Sequence, residues 1–135
     1  MTNQTTHDLL QKYYQAFNEE DLDKFVSTLH PEVIHDICQG ATEIGKDAFR
    51  RFMEFCFDVC KETARDIVII TSEEGKYAAA KLTIDGIYLK DIANYPPARA
   101  QTYTLPVHAF FEINDGLIYR MSCFYNQKDW IRQVA

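Results

Sequence analysis

Apolar residues in the first part of the chain recur at three- and four-residue spacings, the period of a helix with one buried face. The first run predicts a helix over residues 5–17, where Thr5 and Asp8 have the spacing of a capping box. Asp21 can cap a second helix that stops at His30-Pro31, and Gly45 precedes a third over residues 46–60. Their apolar faces contain Leu9, Leu10, Tyr13, Tyr14 and Phe17, then Leu22, Phe25, Val26 and Leu29, then Phe49, Phe52, Met53 and Cys56.

Most of the remaining chain has the pattern of strands and turns. Residues 32–38 predict a short strand, and four further strands are predicted over residues 66–72, 77–88, 101–113 and 117–125. Asn114-Asp115-Gly116 is a strong hairpin signal, and Pro96-Pro97 marks a loop. Helices followed by antiparallel strands indicate one α+β domain over residues 1–135, with helices on one face of a curved sheet. A pocket between the two layers would be the place for a ligand.

Composition argues against several classes of partner. The chain has 135 residues and a net charge of −6, with no basic stripe of the kind that binds nucleic acid. No apolar run approaches the ~18 residues of a membrane span. The polar N-terminus lacks a signal core, so we expect a cytoplasmic protein. Its four cysteines are then expected to be reduced, and their spacing predicts no zinc or other metal site.

Two ionisable residues occur within otherwise apolar strands. Alternation places Asp36 on the opposite face from His35, which we expect to bond locally or to lie at a subunit interface. On an apolar wall the pKa of Asp36 would be raised, as suits a general base, whereas beside the Gln39-Gly40 turn it would be solvated. His108 lies in LPVHAFFEI, a strand in which both faces are largely apolar. We therefore expect both faces of that strand to be covered.

The order and spacing of four motifs resemble the nuclear transport factor 2-like superfamily, and in particular its ketosteroid isomerase and SnoaL-like members. The motifs are YYQAFNEEDLDKF, HPEVIHDICQG, IGKDAFRRF and FFEINDGLIYRM. The resemblance covers nearly the whole chain and implies a cone of helices on a curved sheet that encloses an apolar pocket. It also implies a homodimer that forms through the sheet.

The resemblance also implies candidate catalytic residues. Ketosteroid isomerases use a tyrosine and a protonated aspartic acid as an oxyanion hole, and a second aspartate as the proton shuttle. Tyr13 matches the tyrosine, with Tyr14 as a neighbouring rival, and Asp36 matches the shuttle. His108 stands where the protonated acid is expected, and the pattern implies that it faces the pocket. The implied pocket wall contains Tyr14, Phe25, Phe49, Phe52, Met53, Phe110, Met121, Cys123 and Tyr125.

These matches lead to one main functional hypothesis and two alternatives. The main hypothesis is a cofactor-independent enzyme that transfers a proton next to a carbonyl on a small apolar, steroid- or polyketide-like substrate. One alternative is a hydratase, dehydratase or cyclase in which Asp36 and His108 form an acid–base pair. The other is a non-catalytic module for ligand binding or dimerisation, because a fold does not determine a function.

Overall fold

The computed structural model describes residues 2–135, so Met1 of the predicted domain lies outside the described part of the chain. Within these described residues, four helices and six strands follow one another along the sequence. The helices are α1 (Asn3–Glu19), α2 (Leu22–Val26), α3 (Lys46–Val59) and α4 (Gln127–Val134). The strands are β1 (Leu29–Ile37), β2 (Thr42–Ile44), β3 (Cys60–Thr71), β4 (Tyr77–Tyr88), β5 (Gln101–Asn114) and β6 (Leu117–Phe124).

The strands form one curved, open sheet with the order β2-β1-β6-β5-β4-β3. The pair β1 and β6 is parallel, and each of the other four neighbouring pairs is antiparallel. A register shift between Arg65 and Val68 interrupts β3, and Asp66 within it has a φ of 53°. Such bulges bend a strand and increase its twist. The predicted α+β cone is therefore confirmed.

The helix ends differ from the prediction at two points. Thr2, not Thr5, caps α1 by accepting a hydrogen bond from the Thr5 backbone N–H at 3.1 Å. Asp21 caps α2 as predicted, but that helix ends at Val26. Leu29, expected on the helix, begins β1 and is fully buried. The residue before a proline is disfavoured in helical conformation, so Pro31 favours an extended chain here.

Strand β3 begins at Cys60, well before the predicted start at residue 66. The segment from Lys61 to Arg65 is largely polar, and this concealed a strand with only one buried face. Within it Ala64 is buried, whereas Lys61 and Arg65 are exposed. The earlier start is important because it places Glu62 on the sheet.

Alternation along β5 distinguishes an inner from an outer face of the sheet. The inner face presents buried side chains to the helices, namely Tyr103, Leu105, Val107, Ala109, Phe111 and Ile113. The outer face presents Thr104, Pro106, His108 and Phe110, which are exposed. Between residues 2 and 135 we found no helix with the length and apolar character needed to cross a membrane.

Candidate functional site

A cavity of about 380 Å³ lies between the inner face of the sheet and helices α1, α3 and α4. This volume lies in the range of small-molecule sites, which are mostly apolar with a few polar groups. Eight of the predicted site residues lie on its wall: Tyr13, Tyr14, Phe49, Phe52, Met53, Met121, Cys123 and Tyr125. The wall also contains a carboxyl group and an imidazole that were not predicted there.

Two predicted pocket residues lie elsewhere. Phe25 is fully buried behind the wall, with its ring centroid 4.5 Å from that of Tyr13 and 5.6 Å from that of Phe49. It supports the wall from behind. Phe110 lies on the outer face and is exposed, so its assignment to the pocket was wrong.

Glu62 is the one acidic residue of this cavity wall within the described chain. Its Oε2 accepts a hydrogen bond from the Tyr103 hydroxyl at 2.6 Å. Burial raises the pKa of Glu62 above its ordinary value, and the hydrogen bond from Tyr103 acts in the opposite direction. A half-buried carboxyl on an apolar wall, with a raised pKa, has the properties of a general acid or base.

The cysteines and the tyrosine whose pKa values respond to the charge of Glu62 are neutral at pH 7. Burial, together with the negative charge of Glu62, raises the pKa of Cys56, Cys123 and Tyr125 to about 12 in each case. Cys60 likewise has a raised pKa, chiefly because of burial. These thiols therefore form apolar wall and are poor nucleophiles. Residues 2–135 contain no group of three His, Cys, Asp or Glu side chains arranged for a metal ion.

His35 is the one histidine on the cavity wall within residues 2–135, and it is buried. Its ring stacks on Phe49 with centroids 3.9 Å apart and meets Phe52 edge-on at 4.8 Å. Burial lowers the pKa of His35 to about 4, against a small opposing effect of Asp36. The imidazole is thus neutral at pH 7, and its Nδ1 has no hydrogen-bond partner in the described chain.

The sequence left open whether Tyr13 or Tyr14 faces the pocket. In the structure both residues lie on the cavity wall. Their rings meet edge-on with centroids 4.9 Å apart. Burial raises the pKa of both phenols well above their ordinary value. Each hydroxyl is consequently a neutral hydrogen-bond donor at any physiological pH. Cys123 and Cys56 are close enough to affect the Tyr13 pKa, and both are also neighbours of Glu62.

Asp36 points to the outer side of the sheet, away from the cavity. In the strand register it lies between Thr42 of β2 and Ser122 of β6. Its carboxylate accepts hydrogen bonds from Arg120 Nε at 2.8 Å, Ser122 Oγ at 2.5 Å and Thr42 Oγ1 at 3.0 Å. The hydrogen bond from Arg120 has the largest effect and helps lower the pKa of Asp36 to about 2. The predicted raised pKa on an apolar wall was wrong.

His108 also lies on the outer face, where it is exposed. It occupies one row across four strands, with Val68, Lys81 and Phe124 as its register neighbours. The prediction that His108 faces the pocket was therefore wrong, and it forms no pair with Asp36 inside the cavity. Alternation correctly grouped the residues of β5 into two faces. Both faces were apolar, so the pattern did not show which one was inside.

The carboxyl group and the imidazole of the cavity wall were missed for different reasons. Glu62 fell in a polar segment that was assigned to no element. The alternation of Cys60, Glu62 and Ala64 was the available signal, since it places a lone carboxyl between two small apolar residues. His35 was correctly placed opposite Asp36, but the inner and outer faces of β1 were exchanged. Val33, fully buried and on the same face as His35, marks the inner side.

The fold and the cavity together define a cone-shaped α+β protein with a largely apolar cavity between its helices and its sheet. The family model of the SnoaL-like domain matches residues 10–121. The chain belongs to this family. The search of curated proteins found no match.

Solved structures agree with this assignment. A proposed polyketide cyclase from Pseudomonas putida is 43% identical, with a TM-score of 0.95 over 100% of this chain and 99% of that one. Another from Xanthomonas campestris is 39% identical, with a TM-score of 0.97 over 100% of both chains. A proposed ketosteroid isomerase from Kribbella flavida is 20% identical, with a TM-score of 0.65 over 93% of this chain and 82% of that one. This last likeness concerns the fold alone.

Proposed function

We propose that this protein is a cofactor-independent enzyme that transfers a proton at a carbon next to a carbonyl group of a small, largely apolar substrate. The observation that supports this most directly is Glu62, a carboxyl with a raised pKa on an apolar wall. One of its oxygens is held by Tyr103, and the other has no hydrogen-bond partner in the described chain. That free oxygen is the group available to a substrate.

In the proposed step one proton moves from the substrate to Glu62 and is then returned to the substrate. In its carboxylate form Glu62 removes the proton from the carbon next to the carbonyl, and the electron pair of that C–H bond moves into an enolate. The acid form of Glu62 then returns the proton to another position. Tyr13 and Tyr14 are neutral donors in the same cavity and would stabilise the enolate oxygen by hydrogen bonding. No metal or organic cofactor takes part in this step.

The relatives support a proposal about the class of substrate. Proteins 43% and 39% identical to this one are described as proposed polyketide cyclases. Removal of a proton next to a carbonyl is also the first step of an aldol ring closure, so Glu62 would serve a cyclisation as well as an isomerisation. We therefore propose substrates with a ketone beside an acidic C–H on an otherwise apolar skeleton. His35 offers such a substrate a further neutral polar contact.

The replacement Glu62→Gln tests this proposal because it keeps the size and polarity of the side chain but removes its acid–base chemistry. Proton exchange in D₂O would be followed by NMR on a 5-ene-3-keto steroid and on linear 1,3-diketones. We expect Glu62→Gln to slow the catalysed exchange by about 10²–10⁴-fold. The wild-type rate should rise with pH through the raised pKa of Glu62, because the carboxylate is the active form.

Asp36→Asn is the matched control, since it also removes a carboxylate but on the outer face of the sheet. It should leave exchange close to the wild-type rate. Equal rates for wild type and Glu62→Gln would refute the proposed role of Glu62. Loss of activity in Asp36→Asn, with the fold intact, would instead support the proton shuttle predicted from the sequence.

We further propose that the protein forms a homodimer through the outer face of the sheet. The exposed apolar side chains Val68, Ile70, Phe110 and Phe124 lie on that face. They occupy two adjacent rows across β3 to β6 and border a shallow groove of about 310 Å³. Large exposed apolar patches of this kind often mark sites of protein–protein interaction.

A further inference from the structure

The carboxyl of Glu62 is reached by a tyrosine two strands away. Glu62 lies on β3 opposite Gly86 of β4, and Gly86 lies opposite Tyr103 of β5. Neighbouring strands are about 4.8 Å apart, so β3 and β5 are separated by roughly 10 Å at this level. Any side chain on the intervening β4 residue would stand between the two partners.

Gly86 leaves that space open, and the Tyr103 ring occupies it. A Cβ atom added at Gly86 would lie 2.1 Å from Tyr103 Cζ, 2.3 Å from Cε2 and 2.5 Å from the hydroxyl oxygen. The ring therefore lies directly across β4, and its hydroxyl meets Glu62 Oε2 at 2.6 Å. Glycine in the interior of a strand weakens it, and it often marks a close approach of another group.

We infer that Gly86 is a positioning residue of this site: its missing side chain lets Tyr103 cross β4 and fix one oxygen of Glu62, so that the other faces the substrate. This inference rests on the proposed function of Glu62. Tyr103 accordingly holds the carboxyl by hydrogen bonding and does not itself react with the substrate. The remaining titratable groups around Glu62 are Cys56, Cys60, Cys123 and Tyr125, which are neutral at pH 7.

The inference is tested without substrate by titrating Glu62 itself. The protein would be labelled with ¹³C at the glutamate side-chain carboxyl, and Glu62→Gln would assign the signal. The hydrogen bond from Tyr103 stabilises the charged form of Glu62. Tyr103→Phe removes this bond, so we expect it to raise the titration midpoint of Glu62. Gly86→Ala should shift the midpoint in the same direction, since the added methyl group must displace the Tyr103 ring. An unchanged midpoint in either variant would overturn the inference.

Two control variants make the same kinds of change elsewhere. Tyr95→Phe deletes another hydroxyl of the cavity, which accepts a hydrogen bond from Gln127 at 2.9 Å and not from the Glu62 region. Gly40→Ala adds a methyl group whose nearest neighbour, Ile37 Cγ2, is at an ordinary 3.6 Å. Both should leave the Glu62 midpoint unchanged. A shift in either control equal to that in Tyr103→Phe would also count against the inference.

Gly86→Ala is expected to lower the melting temperature, and a double variant tests the cause. In Gly86→Ala/Tyr103→Leu the ring that meets the new methyl group is absent, so the effect of Gly86→Ala should be much smaller in the Tyr103→Leu background. An equal loss in both backgrounds would show that the clash is not with Tyr103 and would overturn the inference. These measurements use no substrate, so their outcome is independent of the exchange assay. The role of Gly86 and Tyr103 can be refuted while Glu62→Gln still slows exchange, and the role of Glu62 in exchange can be refuted while the titration results hold.

Discussion

At the scale of single residues, burial acts in opposite directions on an acid and a base of the cavity wall, Glu62 and His35. Burial raises the pKa of Glu62 and lowers that of His35, because it disfavours the charged form of each. Glu62 keeps one hydrogen bond, from Tyr103, whereas Nδ1 of His35 has none within the described chain. The nearby charge of Asp36 offsets only part of the effect of burial on His35, so the pKa of His35 stays low and its pH dependence can be predicted.

Replacement of His35 by leucine should flatten the acid side of the stability curve. Between pH 6.5 and about 4 the unfolded chain binds a proton at His35 that the folded protein does not, so wild-type stability falls as the pH falls. The shift corresponds to about 3 kcal/mol over that window. In His35→Leu this contribution is absent. Urea unfolding at several pH values would measure it.

The difference between the two proteins is the informative quantity. Glu62 titrates with the opposite sign, because its raised pKa costs stability as the pH rises, but it does so equally in wild type and variant. Parallel curves for wild type and His35→Leu from pH 6.5 to 4 would contradict a buried, neutral His35.

At the scale of elements, β1 has a different chemistry on each side. His35 faces the cavity, while Asp36 faces outward and connects three strands through Thr42 of β2 and both Arg120 and Ser122 of β6. Strand β2 has only three residues and lies at the sheet edge, so it depends on such contacts. Asp36 thus holds the edge strand β2 against β1, the strand that carries His35.

Asp36→Asn should therefore lower stability. The asparagine loses the ionic component of several hydrogen bonds, and a loss of about 1–2 kcal/mol is expected. Chemical unfolding at pH 7 would measure it. Asp85→Asn is the comparison, since Asp85 pairs with Arg65 on an exposed part of the surface and should contribute less than Asp36 does. Similar losses in the two variants would show that Asp36 has no special role at the sheet edge.

Strand patterns predicted which residues share a face, but not which face is inside. In β5 the two sets were correctly separated, and His108 was placed inside because of the family resemblance. The exposed Phe110 and Phe124 made the outer face appear as apolar as the inner one. The helices were easier to predict, since α1 and α3 each have only one apolar face. Glu62 required knowledge of where β3 begins, and this start is set by pairing with β4, whereas the local sequence offered only the short alternation of Cys60, Glu62 and Ala64.

At the scale of the whole molecule, the outer face accounts for the apolar residues that misled the sequence interpretation. Its rows run Val68–Lys81–His108–Phe124 and Ile70–Ala79–Phe110–Ser122 across β3 to β6. Phe110 and Phe124 are 48% and 53% exposed, although large aromatic side chains are normally covered. In the proposed homodimer this face would be buried, and His108 would lie at the subunit interface and not in the cavity.

The double replacement Phe110→Lys/Phe124→Lys should dissociate the dimer. An interface between identical subunits presents the same patch twice, so each replacement removes two apolar anchors and adds two positive charges. Sedimentation velocity over a range of concentrations should show wild type as a dimer and the variant as a monomer. Ile44→Lys is the control, because Ile44 is 70% exposed on the edge strand β2, outside the two rows. A monomeric wild type, or a variant that remains dimeric, would contradict an interface on this face.

Proton exchange by the monomeric variant would then separate the proposed homodimer from the proposed role of Glu62, since Glu62 and Tyr103 lie on the opposite face of the sheet from the replaced residues.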